Sequence, residues 1–221
     1  DLTWLTVPLS AFAAGFGCSL LIYSLARSVT GTSVLVLLLA GIAISALAGS
    51  IIGMISYVAD DARLRDLTLW QMGSLAAADD YMVLLCLVAA MLLMWRFQTR
   101  ARALNALLLG EAEARHLGIN VEKLKRELII LVALGVGLAV ACTGIIGFVG
   151  LVVPHIVRTL TGPDHTRLLP LAALGGGLLL LVADIASRLA APPAEIPIGL
   201  ITALLGAPFF LVLLLQNKGR I

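Results

Sequence analysis

The sequence predicts an all-α protein, a polytopic bundle of transmembrane helices. Hydrophobic residues make up 61% of the 221 positions, charged residues only 13%, and the mean hydropathy is +1.07. Soluble domains carry about 25% charged residues, so most of this surface is expected to face lipid or other helices. The net charge of +2 gives no reason to expect nucleic acid as a partner. Three cysteines lie far apart within apolar runs, so we expect neither a disulfide nor a metal site.

Apolar runs of membrane-spanning length recur along the chain. A bilayer core of about 30 Å needs about 20 helical residues. Runs of this kind cover 5–26, 33–57, 81–97, 127–161, 169–190 and 197–216. The run 127–161 would be about 52 Å long as one helix, and it carries Gly144, Gly147, Gly150 and Pro154. We therefore split it near Ile146, which gives seven predicted spans in a single transmembrane domain covering 1–221.

The basic residues indicate the direction of the spans. Twelve of the fifteen Lys and Arg residues fall in loops 27–32, 98–126 and 162–168, the adjoining span ends and the C-terminus. Only Arg63, Arg65 and Arg188 fall on the opposite side. Loops rich in Lys and Arg face the cytoplasm. The C-terminus of this multi-pass chain is therefore expected in the cytoplasm.

Residues 58–80 are too polar to span the membrane, yet they have a helical pattern. Apolar residues from Leu64 to Trp70 fall at helical spacing before a Gly-Ser pair ends the pattern. We expect an interfacial helix on the external side. Asp79 or Asp80 is expected to cap the next span.

Small residues form a stripe on the second span. Gly41, Ser45, Gly49 and Gly53 recur every four residues, and small residues let neighbouring helices approach closely. Plain helix packing is one interpretation. The other is that this face lines a pathway wide enough for a bulky solute, and both interpretations also apply to the glycine triplet 175–177.

The longest polar stretch, 103–126, is predicted to contain short helices on the cytoplasmic side. One helix is expected to end at Gly110, and a second to cover Glu111–Leu117 with Gly118 after its C-cap. Acidic residues open this second helix and basic residues close it, as the helix dipole favours. Asn120 is expected to cap the helix that follows. The stretch is either a rigid lever or a solvated connector.

The motifs in and after this stretch resemble those of a known family. Residues 110–118, GEAEARHLG, are similar to the coupling loop of ABC importer permeases. Residues 147–158 (GFVGLVVPHIVR) and 162–170 (GPDHTRLLP) resemble the signature of FecCD-type permeases, which import iron-siderophores, haem and vitamin B12. Further matches follow at 183–188, 195–199 and 202–209. Such permeases have ten spans as a rule, and this chain matches from about the fourth, so the first three are expected to be missing.

The resemblance implies the permease subunit of an ATP-driven importer in the bacterial inner membrane. Two permease copies would form a homodimer, and two cytoplasmic ATPase subunits would hold the ATP and Mg²⁺. A periplasmic binding protein would deliver a metal chelate, either haem or a ferric siderophore, with cobalamin as a further candidate. The chain itself would need no cofactor and would catalyse no reaction.

The resemblance also implies roles for particular residues. ATPase coupling is expected at Glu111, Ala112, Ala114, Arg115, Leu117 and Gly118. A cytoplasmic interface is expected at His155, Arg158, Asp164, His165 and Arg167, with His155 a structural histidine rather than a haem ligand. Docking of the binding protein is expected at Arg188, Arg63 and Arg65, although Arg188 is also spaced for an ion pair with Asp184. The pathway is expected to involve Thr32, Ser33, Gly41, Ser45, Gly49, Gly53, Gly199, Thr202 and Gly206.

Two other functions are weighed from the residues. An ion-coupled secondary transporter normally needs a carboxylate or histidine within the membrane, and Asp184 is the one candidate. An intramembrane enzyme would need a nucleophile and a base at helical spacing, and the sequence has no such pair. The sequence also lacks the phosphate-binding pattern GxxxxGK[ST], so ATP hydrolysis is expected from a separate subunit.

Overall fold

The computed structural model describes residues 3–28, 31–76, 78–190 and 195–217, and within them the fold is all-α. The elements are α1 (Thr3–Ala26), β1 (Arg27–Ser28), β2 (Gly31–Thr32), α2 (Val34–Val58), α3 (Asp61–Met72), α4 (Asp80–Leu107), α5 (Glu111–His116), α6 (Val121–Thr143), α7 (Val149–Thr161), α8 (His165–Ala190) and α9 (Ile198–Asn217). The strands form a two-stranded antiparallel hairpin in which Arg27 pairs with Thr32. This confirms the predicted fold class.

Among the described residues, five helices are long and apolar enough to cross a membrane: α1, α2, α4, α6 and α8. The shorter apolar helices α7 and α9 lie at the remaining predicted positions. The predicted split of 127–161 is confirmed, because α6 ends at Thr143 and α7 begins at Val149. With 13 residues, α7 is about 20 Å long, shorter than a core of about 30 Å.

Polar side chains fix the starts of several helices, and two of these caps, at Asp79 and Asn120, are predicted from the sequence. The Ser33 hydroxyl accepts a hydrogen bond from Val36 N at the start of α2. Asp79, rather than Asp80, caps α4 by accepting from Tyr81 N at 2.8 Å. Asn120 Oδ1 accepts from Lys123 N at 3.0 Å and caps α6. These side chains satisfy backbone donors that have no partner within the helix.

Residues 58–107 contain two helices. The sequence predicts the end of the first correctly, whereas the second extends beyond its predicted end. The helix α3 confirms the predicted helix and ends just before Gly73, which has a φ of +70°. By contrast, α4 continues ten residues beyond the predicted span end at 97. Residues 103–107 are therefore the last turns of α4 and not a separate short helix. The hydropathy pattern marked the edge of the apolar run, whereas the helix itself extends further.

The chain forms two compact units. The first comprises Asp1–Thr68 and Ala106–Cys142, and the second comprises Leu69–Asn105 and Thr143–Ile221. In the first unit α1 packs on α2, and a Cβ on Gly137 of α6 would lie 3.2 Å from the ring of Phe12. In the second unit α7 packs on α8, and a Cβ on Gly175 would lie 2.9 Å from Val153 Cγ1. Gly175 and Gly176 of the triplet therefore allow close helix packing, whereas a Cβ on Gly177 would meet no atom within 4 Å.

Candidate functional site

The helix α5 is a short helix with well-defined ends. Gly110 precedes it with a φ of +110°, a conformation that glycine adopts without strain. At its other end Gly118 has a φ of +82°. Gly118 N donates to Arg115 O at 2.9 Å and Ile119 N to Ala114 O at 3.0 Å. These two bonds form a Schellman motif, so the chain leaves α5 in one defined direction.

One face of α5 is buried and the other is exposed. Ala114 is fully buried, whereas Ala112, Leu117 and the neighbouring Leu109 are exposed. Glu111 and Arg115 form an i,i+4 ion pair at 3.7 Å on the same helix. An exposed apolar surface next to a rigid helix end is typical of a contact site for another protein.

A cluster of charges joins α5 to the start of α6 and to the β-hairpin. We call it the α6 clamp and define it as Thr32, Glu111, Glu122 and Lys125. Lys125 Nζ lies 2.6 Å from Glu111 Oε1 and donates to Thr32 O at 3.1 Å. Glu122 Oε2 accepts from Thr32 N at 3.1 Å and from Thr32 Oγ1 at 2.8 Å. The three polar atoms of Thr32 are thus bonded to two side chains of α6.

The charges of the clamp are balanced and partly shielded. Lys125 has a side chain that is only 15% exposed, and it lies 3.7 Å from Glu122 as well as against Glu111. Arg115 adds a second cation, 3.9 Å from Glu122. Ion pairs that are partly removed from water interact more strongly than fully exposed ones. The clamp therefore holds three chain segments together at one point.

A second polar cluster lies at the start of α8. We call it the α8 cap cluster and define it as Asn105, Asp164, His165 and Thr166. Asp164 accepts from Thr166 Oγ1 at 2.7 Å, from Thr166 N at 2.9 Å and from Asn105 Nδ2 at 2.6 Å. Asn105 Oδ1 in turn accepts from His165 N at 2.8 Å. The cluster ties the last turns of α4 to the first turn of α8.

Hydrogen bonds determine the protonation state of Asp164. The bond from the Thr166 hydroxyl, followed by those from Thr166 N and Asn105, lowers the pKa of Asp164 to about 2. Arg167 adds a smaller electrostatic contribution in the same direction. Asp164 is therefore ionised at every physiological pH, and its role is to cap α8 rather than to transfer protons.

The predicted interface residues on α7 lie beside a small cavity. His155 packs edge-on against Phe209, with 6.3 Å between the ring centres. Both residues line a cavity of about 230 Å³ together with Ile156 and Thr159. Arg158 is exposed near the end of the same helix. An aromatic contact of this kind fits the expectation of a structural histidine.

Arg188, the predicted docking residue on α8, is paired within its own unit. Its Nε and Nη2 donate to the two carboxylate oxygens of Asp184 at 2.9 and 3.2 Å. Its Nη1 lies 3.4 Å from Glu195 Oε1. The predicted ion pair with Asp184 is confirmed, while Arg188 remains nearly half exposed. Docking at this position stays a prediction.

The other two candidates for docking, Arg63 and Arg65, lie on α3. Both side chains are exposed. Arg63 Nε lies 3.4 Å from Asp60 Oδ2 in an exposed ion pair. Their role in docking also stays a prediction.

The predicted pathway residues fall into three groups. On α2, a Cβ at Gly41, Gly49 or Gly53 would meet no atom within 4 Å, so this stripe is not packed against another described helix. Ser45 is exposed on the same helix. Thr32 and Ser33 belong to the α6 clamp and to the cap of α2, respectively. The role of these positions in a pathway stays a prediction.

The third group, on α9, is packed inside its unit. A Cβ on Gly199 would collide with Met72 O, and one on Gly206 would collide with the side chain of Phe148. Thr202 is buried and donates to Gly199 O at 3.1 Å. The face of α9 that carries them therefore fits against the end of α3 and the turn that precedes α7.

Sequence reasoning missed three residues that organise these clusters: Asn105, Glu122 and Lys125. A weak signal existed for two of them, because Glu122 and Lys125 are spaced i,i+3 on one helix face. Their bonds to Thr32, by contrast, join residues some 90 positions apart. No local pattern carries that information.

Comparisons with known proteins agree with this architecture. A profile of the FecCD transport family matches residues 1–216. The hemin transport system permease protein HmuU of Yersinia pestis is 47% identical over 210 residues, which cover 94% of this chain and 62% of that protein. The vitamin B12 import system permease protein BtuC of Vibrio cholerae is 45% identical over 181 residues, covering 82% of this chain and 54% of that protein.

A solved structure of a metal-chelate type ABC transporter in an inward-facing conformation gives a TM-score of 0.78 at 36% identity. The match covers 83% of this chain and 60% of that one. The chain thus spans 54–62% of the length of these two curated relatives.

Proposed function

The chain belongs to the FecCD transport family, and from this membership we propose that it forms the membrane-spanning permease part of an ATP-driven importer. The importer passes a metal chelate from a periplasmic binding protein to the cytoplasm by alternating access. Two permease copies form a homodimer in the bacterial inner membrane, and each binds one cytoplasmic ATPase subunit. The ATPase subunits carry the ATP and Mg²⁺, while this permease carries no cofactor of its own.

The observation that carries this proposal is the geometry of α5. It is a rigid, capped helix between two membrane-length helices, with Ala112 and Leu117 exposed on its outer face. Its buried side, by contrast, is held to the rest of its unit through Ala114 and the α6 clamp. A helix that is anchored in this way transmits a rigid-body movement, because it cannot rotate freely relative to the segments that hold it. The ATPase subunit would grip the exposed face.

The substrate is proposed from the relatives. The two curated relatives described above transport hemin and vitamin B12, and the solved neighbour is of metal-chelate type. Because hemin is transported by the relative with the higher identity of the two, haem or a ferric siderophore is the first candidate and cobalamin the next. The open small-residue face of α2 gives a bulky solute room to pass without charged groups. Arg188, Arg63 and Arg65 would meet acidic groups of the binding protein outside.

The competing function, an ion-coupled secondary transporter, fits less well. Its one candidate coupling site, Asp184, is engaged by two nitrogens of Arg188. A carboxylate whose two oxygens are held by a fixed arginine is already paired with a cation and would bind and release a coupling ion poorly.

The test uses an arginine on the exposed face of α5. Ala112→Arg places a bulky cation where the ATPase would bind and disturbs no buried contact, so we expect the permease to fold while losing ATPase association and ATP-driven hemin uptake. Ala78→Arg makes the same change at an exposed position between α3 and α4 and serves as the matched control. Co-purification of the ATPase and uptake into proteoliposomes measure the two effects. Normal association and uptake by Ala112→Arg, or uptake that follows an ion gradient without ATP, would refute the proposal.

A further inference from the structure

The α6 clamp connects α5 to the start of α2 by direct contacts. Lys125 bonds to Glu111 on α5 on one side and to the carbonyl of Thr32 on the other. Thr32 immediately precedes Ser33, the N-cap of α2. A displacement of α5 therefore reaches the first turn of α2 through one lysine side chain.

Glu122 makes the connection rigid. It accepts both the N–H and the hydroxyl of Thr32, which is only 5% exposed. Gly31 leaves room for this carboxylate, because a Cβ there would lie 2.8 Å from Glu122 Oε1. With the donors and the carbonyl of Thr32 engaged together, the hairpin cannot slide along α6 without breaking several bonds at once.

The far side of the connection, α2, presents an open small-residue stripe. No residue of α2 is buried, and its glycines meet no neighbour at 4 Å. In this unit α2 is packed on α1 and held at its start by the clamp. Because the start of α2 is fixed by the clamp, we expect α2 to follow a displacement of that end.

We propose that Lys125 and Glu122 are positioning residues that pass the displacement of α5 to Thr32 and so to the start of α2. This inference rests on the proposed function, because it assumes that an ATPase subunit moves α5. The α6 clamp thereby couples the movement that the ATPase subunit imposes on α5 to α2, the helix that carries the small-residue stripe. Neither residue contacts the substrate or the ATPase in this role.

The experiment separates coupling from assembly. The complete permease with Lys125→Met or Glu122→Gln is reconstituted with its ATPase and binding protein, and hemin is the transport probe. We expect ATPase association and ATP hydrolysis to persist, while hemin transported per ATP falls about tenfold. Lys123→Met, an exposed lysine on the same helix, is the matched control and should leave the ratio unchanged.

A second readout reports the movement itself. Spin labels at Val34, an exposed residue in the first turn of α2, give the distance between the two permease copies with and without trapped nucleotide. We expect a nucleotide-dependent change in the wild type that Lys125→Met abolishes and Lys125→Arg restores, because arginine keeps the bridging charge. A purely structural role would alter stability without removing this distance change.

The outcomes distinguish the inference from its premise. If the wild type neither binds the ATPase nor transports hemin with ATP, the proposed function fails. If the wild type does both and Lys125→Met shows the same hemin-to-ATP ratio and the same distance change, the inference alone is overturned. Should Lys125→Met fail to insert, Thr32→Val removes only the hydroxyl bond to Glu122, and it must also lower the ratio for the inference to stand.

Discussion

The α6 clamp and the α8 cap cluster hold the ends of long helices in different ways. The clamp relies on opposite charges, with Lys125 between Glu111 and Glu122. The cap cluster relies on neutral donors, with Asn105 and Thr166 bonded to Asp164. The comparison teaches that a fixed helix end can be built from ion pairs or from hydrogen bonds alone. The two constructions differ in what breaks them, since a charge reversal disrupts the first and loss of a donor or acceptor the second.

Reversing the central charge of the clamp should have the largest effect. Lys125→Glu would place three carboxylates together, two of them on α6 and one on α5. We expect a loss of stability of about 2 kcal/mol, below the value for fully buried pairs because Glu111 and Glu122 are partly exposed. Thermal unfolding of the complete permease in detergent measures it, with Lys123→Glu as control. An unchanged melting temperature would mean that the clamp contributes no stability.

Disrupting the clamp sterically, rather than by reversing a charge, should have a somewhat smaller effect on stability. Gly31→Ala would put a Cβ 2.8 Å from Glu122 Oε1 at a residue whose φ is +121°. We expect a destabilisation of about 1–2 kcal/mol from backbone strain and displacement of the carboxylate. Gly17→Ala on α1 has open space around it and should be neutral or slightly stabilising. Equal melting temperatures for the two variants would contradict this expectation.

The comparison also explains which features the sequence predicts. Apolar runs predict the helices because hydropathy is a local property, and the predicted caps at Asp79 and Asn120 follow from side chains close in sequence to their partners. The end of α4 was missed because its polar last turns favour helix as strongly as its apolar part. The hydropathy pattern records where apolar residues stop, not where a helix ends.

The two clusters themselves were beyond sequence reasoning. Thr32 and Glu122 are 90 positions apart, and Asn105 and Asp164 are 59 apart. Which residues meet over such distances depends on how helices pack, and one sequence alone does not encode that in any short pattern. Asp164 and Thr32 were nevertheless chosen as candidates through the family resemblance, while their partners were not.

Removing the charge of the cap cluster should have a smaller effect than either change to the clamp. Asp164→Asn keeps a capping oxygen but loses the charge that strengthens the bonds from Thr166 and Asn105. We expect a melting temperature that is slightly lower than that of the wild type. Asp164→Ala, which also removes the capping oxygen, should be less stable than Asp164→Asn. An equal or higher stability of the alanine variant would show that the cap bonds contribute nothing.

The pH dependence of the stability difference between the wild type and Asp164→Asn tests whether the cap cluster depends on an ionised Asp164. The folded-state pKa of Asp164 is about 2, below its ordinary value of 3.8, so its contribution is fully present above the ordinary value and is lost as the pH falls towards the folded one. The stability difference between the wild type and Asp164→Asn should therefore be constant between about pH 5 and 8. Thermal unfolding across this range measures it. A difference that varies with pH there would mean that Asp164 is not ionised throughout.

The smallest effect is expected at the exposed pair of Arg63 and Asp60, which supplies the baseline for the other two sites. The two side chains are 83% and 60% exposed and their atoms are 3.4 Å apart, so water screens their attraction and mobility opposes it. Arg63→Ala should change stability by less than about 0.5 kcal/mol, at low and at high salt alike. A larger, salt-dependent loss of stability would mean that the exposure of the Arg63–Asp60 pair does not make it weaker than the ion pairs of the clamp. The shielding of Lys125 would then not explain the greater strength that we expect of the clamp.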